Sequence, residues 1–259
     1  MRENFSFYLE RNSSIHRTNP FTKLTLVFTL IILAFLVPYF WLPSIIFLLI
    51  IIPLSFASKV QTEFIKAVGR LLLPVIGFIF VMQALFYPAE GRLLFQLWFI
   101  EITVESVKYA FSTSTRILVM VSSFILLLLT THPSDLMSDL TRRGMPGALS
   151  YVITSTLQII PQMQIKANTI IDAQRSRGLE TSGNMIKRAG AVLPLVGPLV
   201  FGSIVDVEER AIAIEARAFT SPLKKTSLRE INDPNIEKAS RWFLLFIMIF
   251  TIGIRLWLS

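Results

Sequence analysis

Residues 24–57 read LTLVFTLIILAFLVPYFWLPSIIFLLIIIPLSFA and contain no charged side chain. A helix crosses the hydrocarbon core in about 20 residues, so the stretch is too long for one span. It is interrupted at Pro38-Tyr-Phe-Trp-Leu-Pro43, where two prolines enclose an aromatic cluster suited to a turn at the membrane interface. The reading is a helical hairpin with arms at about 22–37 and about 43–58. Lys59, Lys66 and Arg70 follow it and mark a return to the cytoplasm.

Working outward, a third span is expected at about 71–87, closed by Pro88, and a fourth at about 105–130. Between them, residues 89–103 mix Leu93, Leu94, Phe95, Leu97, Trp98 and Phe99 with polar groups. A short interfacial helix is expected there. A fifth span is expected at about 242–258, directly after Arg241. The fold class is therefore an all-α, polytopic membrane protein with about five transmembrane helices and long amphipathic helices on the cytoplasmic side.

Composition agrees. Of 259 residues, 53% are apolar and 16% charged, where a soluble domain has about 25% charged. The net charge of +8 fits basic cytoplasmic segments better than nucleic-acid binding, because no basic stripe is interleaved with exposed aromatics. There is no cysteine, which excludes disulfides and thiolate metal sites. Met1 to Lys23 is polar and lacks the apolar region of a cleavable signal peptide. Five spans put the N-terminus in the cytoplasm and the C-terminus outside, in agreement with the lysine and arginine bias.

Residues 132–240 differ in character, mixing both charge signs with helical apolar periodicity. Three helices are expected. The first covers about 134–143, with Ser134 as N-cap and Gly144-Met-Pro146 as the stop. The second covers about 147–177 and bends at Pro161; the third covers about 185–218 and kinks at Pro194 and Pro198. Residues 220–240 read as a polar linker. The chain thus divides into 1–131, with the N-terminal tail and four spans, 132–240, a region of amphipathic cytoplasmic helices that is partly membrane-embedded, and 241–259, the last span.

Enzyme signatures are absent. No glycine-rich phosphate loop occurs, so the chain itself should hold no ATP. His16 and His132 have no partners at metal-ligand spacing. Asp135 and Asp139 share a helix face; a metal pair there competes with the plainer reading of a solvated face near a helix N-terminus. Arg116 is the one clear ionisable group within the first four spans, which argues against a catalytic site or a charged-substrate path in the membrane.

The informative feature is a pair of helix ends. The second helix closes on Asp172-Ala-Gln-Arg-Ser-Arg177-Gly178, and the third on Ala213-Ile-Glu-Ala-Arg217-Ala-Phe219. An arginine in the last turn offsets the helix dipole, and that alone accounts for the pattern. The alternative starts from the small flanking residues, Ser176 and Gly178, and Ala216 and Ala218. They let a partner approach the backbone while the guanidinium offers a donor fork to a carboxylate.

These residues resemble the transmembrane T components of energy-coupling factor (ECF) transporters, a branch of the ATP-binding-cassette importers that takes up cobalt, biotin and other vitamins. The resemblance begins with Ser14-Ile-His-Arg-Thr-Asn-Pro20-Phe-Thr-Lys23-Leu24, where the family often has aspartate in place of Asn19. It continues with Thr131-His-Pro133-Ser-Asp135-Leu136 and Leu140-Thr-Arg-Arg-Gly144-Met-Pro146. It is strongest at Ser176-Arg177-Gly178 and Ala216-Arg217-Ala218, which are similar to the family's paired Ala-Arg-Gly signatures. Ala218, standing where the family has glycine, removes the easy left-handed backbone.

The resemblance implies a non-enzymatic scaffold in the cell membrane. Each signature arginine would dock on one of two ATPase subunits, which bind ATP and magnesium, while this chain holds no cofactor. The coupling helices would support a separate substrate-binding S subunit that carries a vitamin or metal ion. On the second helix, Val152, Ile159 and Met163 are the expected S-subunit contacts, although packing within the chain would give the same apolar stripe. The competing reading is a conventional permease subunit that lines its own substrate path.

Overall fold

The computed structural model describes residues 11, 13–88, 91–97, 100–178, 185–219, 221 and 233–258, with side chains from 95–101 and 185–194 left aside. Two compact units emerge. One comprises residues 6–145 and 230–259 and is called the spanning unit; the other is formed mainly by residues 146–229 and is called the paired-helix unit.

In the spanning unit, a single turn α1 (Ser14–Arg17) precedes α2 (Pro20–Leu36). The side chain of Asn19 caps α2, accepting a hydrogen bond from the Phe21 N–H at 2.9 Å, with Pro20 at the first helical position. Next come α3 (Leu42–Ala57), α4 (Gln61–Phe86) and α5 (Val104–Thr130). A short α6 (Pro133–Arg142) and the final α9 (Asn235–Leu258) complete the unit. By length and composition, α4, α5 and α9 are long and apolar enough to cross a membrane, while α2 and α3 are shorter apolar helices. The helical membrane architecture expected from the sequence is what the chain adopts.

Both α3 and α4 contain a wide turn, at Phe47–Ile51 and Val68–Leu72, in which hydrogen bonds run from residue i to i−5. Each wide turn is followed two residues on by a proline, Pro53 or Pro74. Proline lacks an N–H and its ring collides with the carbonyl four residues back. Widening the turn removes that collision without ending the helix. From the N-cap Val60 into α4, the buried residues Val60, Phe64, Val68, Leu72 and Ile76 then recur at a strict period of four. They meet Leu30 and Ala34 of α2, Ile46 and Ile51 of α3, and Val119 and Leu126 of α5 in one core. Small hydroxyl residues allow α5 to pack closely. Ser122 and Ser123 are buried and return their O–H to carbonyls of their own helix.

Three expected boundaries are corrected. Residues 93–97 and 100–103 pair as antiparallel strands, β1 (Leu93–Leu97) with β2 (Ile100–Thr103), instead of an interfacial helix. Ile100 and Ile102 are β-branched and flank Glu101, with β-branched Thr103 next, a strand pattern that the leucines upstream conceal. The third span begins at Gln61, about ten residues early, because the expectation followed hydropathy and Lys66 and Arg70 lie inside the helix. For the same reason the last helix begins at Asn235 instead of Trp242, carrying Glu237, Lys238 and Arg241 in its first two turns. Most of the expected linker, 222–232, lies outside the described residues.

The cap of α6 is also corrected. His132, not Ser134, is the N-cap, with its Nδ1 accepting the Ser134 N–H at 3.2 Å. Pro133 takes the first helical position, which suits its fixed φ and missing N–H, and so moves the cap one residue upstream.

The paired-helix unit consists of α7 (Gly147–Ser176), which runs through Pro161, and α8 (Met185–Ala216), which runs through Pro194 and Pro198. The two are antiparallel. Tyr151 near the start of α7 packs on Phe219 beyond the end of α8, ring centroids 5.3 Å apart. Further along, Arg210 Nη2 donates to Gln162 Oε1 at 2.6 Å and Lys166 pairs with Asp206.

Candidate functional site

Three helices end on the same backbone device. At α6, Arg143 is the C-cap and Gly144 turns left-handed at φ +113°. At α7, Arg177 is the C-cap and Gly178 has φ +90°. At α8, Arg217 follows Ala216 and Ala218 takes φ +54° despite its Cβ. The Gly144 and Ala218 N–H groups reach back three residues, to Thr141 O at 3.1 Å and Glu215 O at 2.9 Å. The Met145 and Phe219 N–H groups reach back five, to Leu140 O at 3.1 Å and Ile214 O at 3.2 Å. This pair of bonds satisfies the last carbonyls of a helix. The alanine at 218 therefore does not change the end geometry. A left-handed residue with a Cβ costs about 1–2 kcal/mol, and the closing bond of Phe219, whose ring lies against Tyr151, helps to offset it.

The fate of the arginine separates the three ends. Arg143 is used inside the spanning unit. Its Nε donates to Asp139 Oδ2 at 2.8 Å, its Nη2 lies 3.5 Å from Asp233 Oδ2, and its guanidinium sits 4.2 Å over the Phe21 ring. Arg177 and Arg217 are exposed, and their side chains have no hydrogen bond or ion pair among the described residues. Ser176, Gly178, Ala216 and Ala218 beside them are exposed as well. Since α7 and α8 are antiparallel, the two arginines lie at opposite ends of the pair. The 26 residues from Tyr151 to Arg177 place them on the order of 40 Å apart at about 1.5 Å per helical residue.

The expected S-subunit contacts divide. Val152 is 57% exposed, whereas Ile159 and Met163 are half-buried. Met163 Sδ lies 3.6 Å from Ser203 Oγ of α8, so part of that stripe packs within the pair. Leu149, Leu157, Ile160 and Ile165 add to the apolar surface of α7 that remains uncovered.

The structure also assembles a polar cluster that the motifs, read separately, do not reveal. Asn19 Nδ2 donates to Asp139 Oδ1 at 3.3 Å, and its backbone N–H to Glu237 Oε2 at 2.8 Å. Thr22 Oγ1 donates to the same Glu237 oxygen at 3.3 Å and accepts from Arg241 Nη1 at 3.0 Å. Arg241, itself buried, pairs with both Asp233 oxygens at 2.8 and 3.0 Å. Lys23 Nζ donates to Thr130 O at 2.8 Å. The Arg241 hydrogen bond, aided by the Arg143 and Lys238 charges, holds the Asp233 carboxyl below the usual carboxylate range. The segments 14–24 and 131–146, separate motifs in the sequence, here pack on each other.

Asp139 is 1% exposed and bound to Arg143 and Asn19, so it lies neither on a solvated face nor in a carboxylate pair open to metal. Among the described residues no three His, Asp or Glu side chains are grouped to hold a metal ion. Arg116 stands near the middle of α5, half-buried, with its Nε enclosed and unbonded.

The fold is that of a largely helical membrane protein, with three helices among the described residues long and apolar enough to cross a bilayer. The family of cobalt transport proteins, CbiQ, matches residues 11–228. The chain is 30% identical over 239 residues to the energy-coupling factor transporter transmembrane protein EcfT of Staphylococcus aureus, covering 86% of each chain. It is 30% identical over 234 residues to that of Listeria innocua, again 86% of each. The Lactococcus lactis protein of the same name is 26% identical across 96% of each chain. The chain belongs to this family, the transmembrane T components of ECF transporters.

Proposed function

We propose that this chain is the coupling scaffold of an ECF importer, in which Arg177 and Arg217 each dock on one of two ATPase subunits. The observation that carries the reading is the contrast among the three matching helix ends. Arg143 is consumed by Asp139 and Asp233, while Arg177 and Arg217 stand exposed at opposite ends of the α7–α8 pair. Opposite ends suit two separate partners, and a guanidinium beside a small residue fits a carboxylate in a groove.

On this reading the uncovered apolar residues of α7, Val152 among them, meet a small membrane S subunit that carries a vitamin or a metal ion. ATP and magnesium belong to the ATPases, and the chain itself catalyses nothing and holds no cofactor. The chain lies in the cell membrane, with the N-terminus and the α7–α8 pair on the cytoplasmic side, where basic segments are favoured. The test is a mild-detergent pull-down of the tagged chain, with mass spectrometry of its partners. Two ATP-binding-cassette ATPases, or a homodimer of one, and a small hydrophobic protein are expected. Recovery of the chain alone, transporting unaided, would overturn the scaffold reading in favour of a permease that lines its own path.

A further inference from the structure

The chain leaves the spanning unit after Met145 and is back in it by Asp233. Arg143 lies two residues before the departure, and Asp233 precedes α9 by two residues. These two residues face each other, Arg143 Nη2 to Asp233 Oδ2 at 3.5 Å. Both also connect to one short segment at the head of α2. The outgoing side reaches it through Asp139 to Asn19 and through Arg143 over Phe21. The returning side reaches it through Glu237 to Asn19 and Thr22, and through Arg241 to Thr22. All of these groups belong to the spanning unit.

We propose that this cluster is a clamp, with Asp233 as its positioning residue, that binds the outgoing and returning passages so that both connections to the helix pair move together. Among the described residues, Asp233 is the one carboxylate touching both Arg143 and Arg241. Buried ionic groups are an uneconomical way to gain stability, since well-packed apolar residues do as well or better. What they supply is a defined arrangement, and the arrangement here joins points 90 residues apart in the chain, on either side of the segment that forms the helix pair. Without the clamp, a push on the helix pair would be absorbed as slack between the two passages.

The consequence for transport rests on the coupling reading; the geometry of the clamp does not, and the experiment separates them. The full chain lacks cysteine, so Met145→Cys and Asn235→Cys introduce two unique spin-label sites. Their distance distribution is measured with the labelled chain alone in lipid nanodiscs. A narrow distribution is expected with Asp233 or Asp233→Glu, and a broad one with Asp233→Asn. Thr22→Val, which leaves every ion pair in place, is expected to broaden it in the same direction. In the complex with its ATPases, Asp233→Asn is expected to lower transport per ATP several-fold while the amount of ATPase captured stays unchanged. A broad distribution in the parent, an unchanged one in both Asp233→Asn and Thr22→Val, or unaltered transport per ATP would overturn the clamp. Failure of the parent to capture any ATPase would overturn the coupling reading instead, leaving the clamp to the distance measurement.

Discussion

Asn19 and Asp139 are 120 residues apart in the chain, yet the amide Nδ2 of Asn19 donates to the buried carboxylate of Asp139 at 3.3 Å. The contact gives asparagine two roles at this position. The same side chain caps α2 with its oxygen and satisfies Asp139 with its nitrogen. Asn19→Asp would keep the cap but set two carboxylates against each other. Its expected cost is about 1–3 kcal/mol, the usual penalty for an unsatisfied buried polar group. The deficit should shrink as pH falls, because a proton on one carboxyl restores the missing donor. Thermal unfolding of the detergent-solubilised pair at two pH values measures both effects.

The helix ends at Gly178 and Ala218 make opposite predictions. Ala218→Gly should stabilise the end of α8 by about 1 kcal/mol, by relieving a left-handed residue that carries a Cβ. Gly178→Ala should cost a similar amount at φ +90° even though the added methyl meets no neighbour within 4 Å. Amide exchange at Phe219 and across the last turn of α7 reads the two changes locally.

Charge reversal should sort the three arginines by role. Arg177→Glu and Arg217→Glu should leave insertion and thermal stability unchanged while weakening ATPase capture. Loss of a desolvated arginine–carboxylate pair costs about 2–5 kcal/mol, so the double variant should capture almost none. Arg143→Glu should instead lower stability, since it sets a second carboxylate beside the buried Asp139. Full coupled transport by the double variant would refute the docking assignment.

Asp233 gives the chain an acid-sensitive element. Its folded-state pKa is depressed, first by the Arg241 hydrogen bond. A depressed carboxyl contributes stability above its unfolded pKa of about 4 and loses it as pH falls through the folded value. Stability should therefore decline below about pH 4, and the Asp233→Asn variant should show a smaller decline. Titrated unfolding of both chains checks the difference.

Arg116 should prove costly where it stands. Arg116→Leu is expected to improve membrane insertion of the Val104–Thr130 helix by about 2.5–3.5 kcal/mol, the penalty for a charge at mid-span. A translocon insertion assay on that helix measures it.

The apolar blocks made the helical membrane class legible, because bilayer spans are written as local composition. The two exposed arginines were legible for a similar reason: an arginine between small residues at a helix end is a local pattern. Arg142-Arg143-Gly144 is equally local, and only the approach of Asp139, Asp233 and Phe21 distinguishes it. Such long-range pairings leave no periodicity to read. The strand pair at 93–97 and 100–103 escapes the sequence because leucine-rich strands and interfacial helices share a composition. The early starts of α4 and α9 were missed because Lys66, Arg70 and Glu237 depress the hydropathy of residues that are nonetheless helical.

The wide turn in α4 has a consequence for how that helix tolerates change in length. Residues four apart drift by about 40° at each step on a regular helix, so five of them would wind off the core. The extra residue in Val68–Leu72 takes back much of that drift, and it keeps Val60 and Ile76 facing the same core. Deleting Gly69 would remove a residue with open space around it and restore an ordinary turn locally. The two halves would keep their relative facing, because the residue removed is the one that the widened turn absorbs, whereas the same loss in a regular turn would rotate them by about 100°. The wide turn is thus a phase marker: α4 accommodates the loss of a single residue there far more readily than in its regular turns.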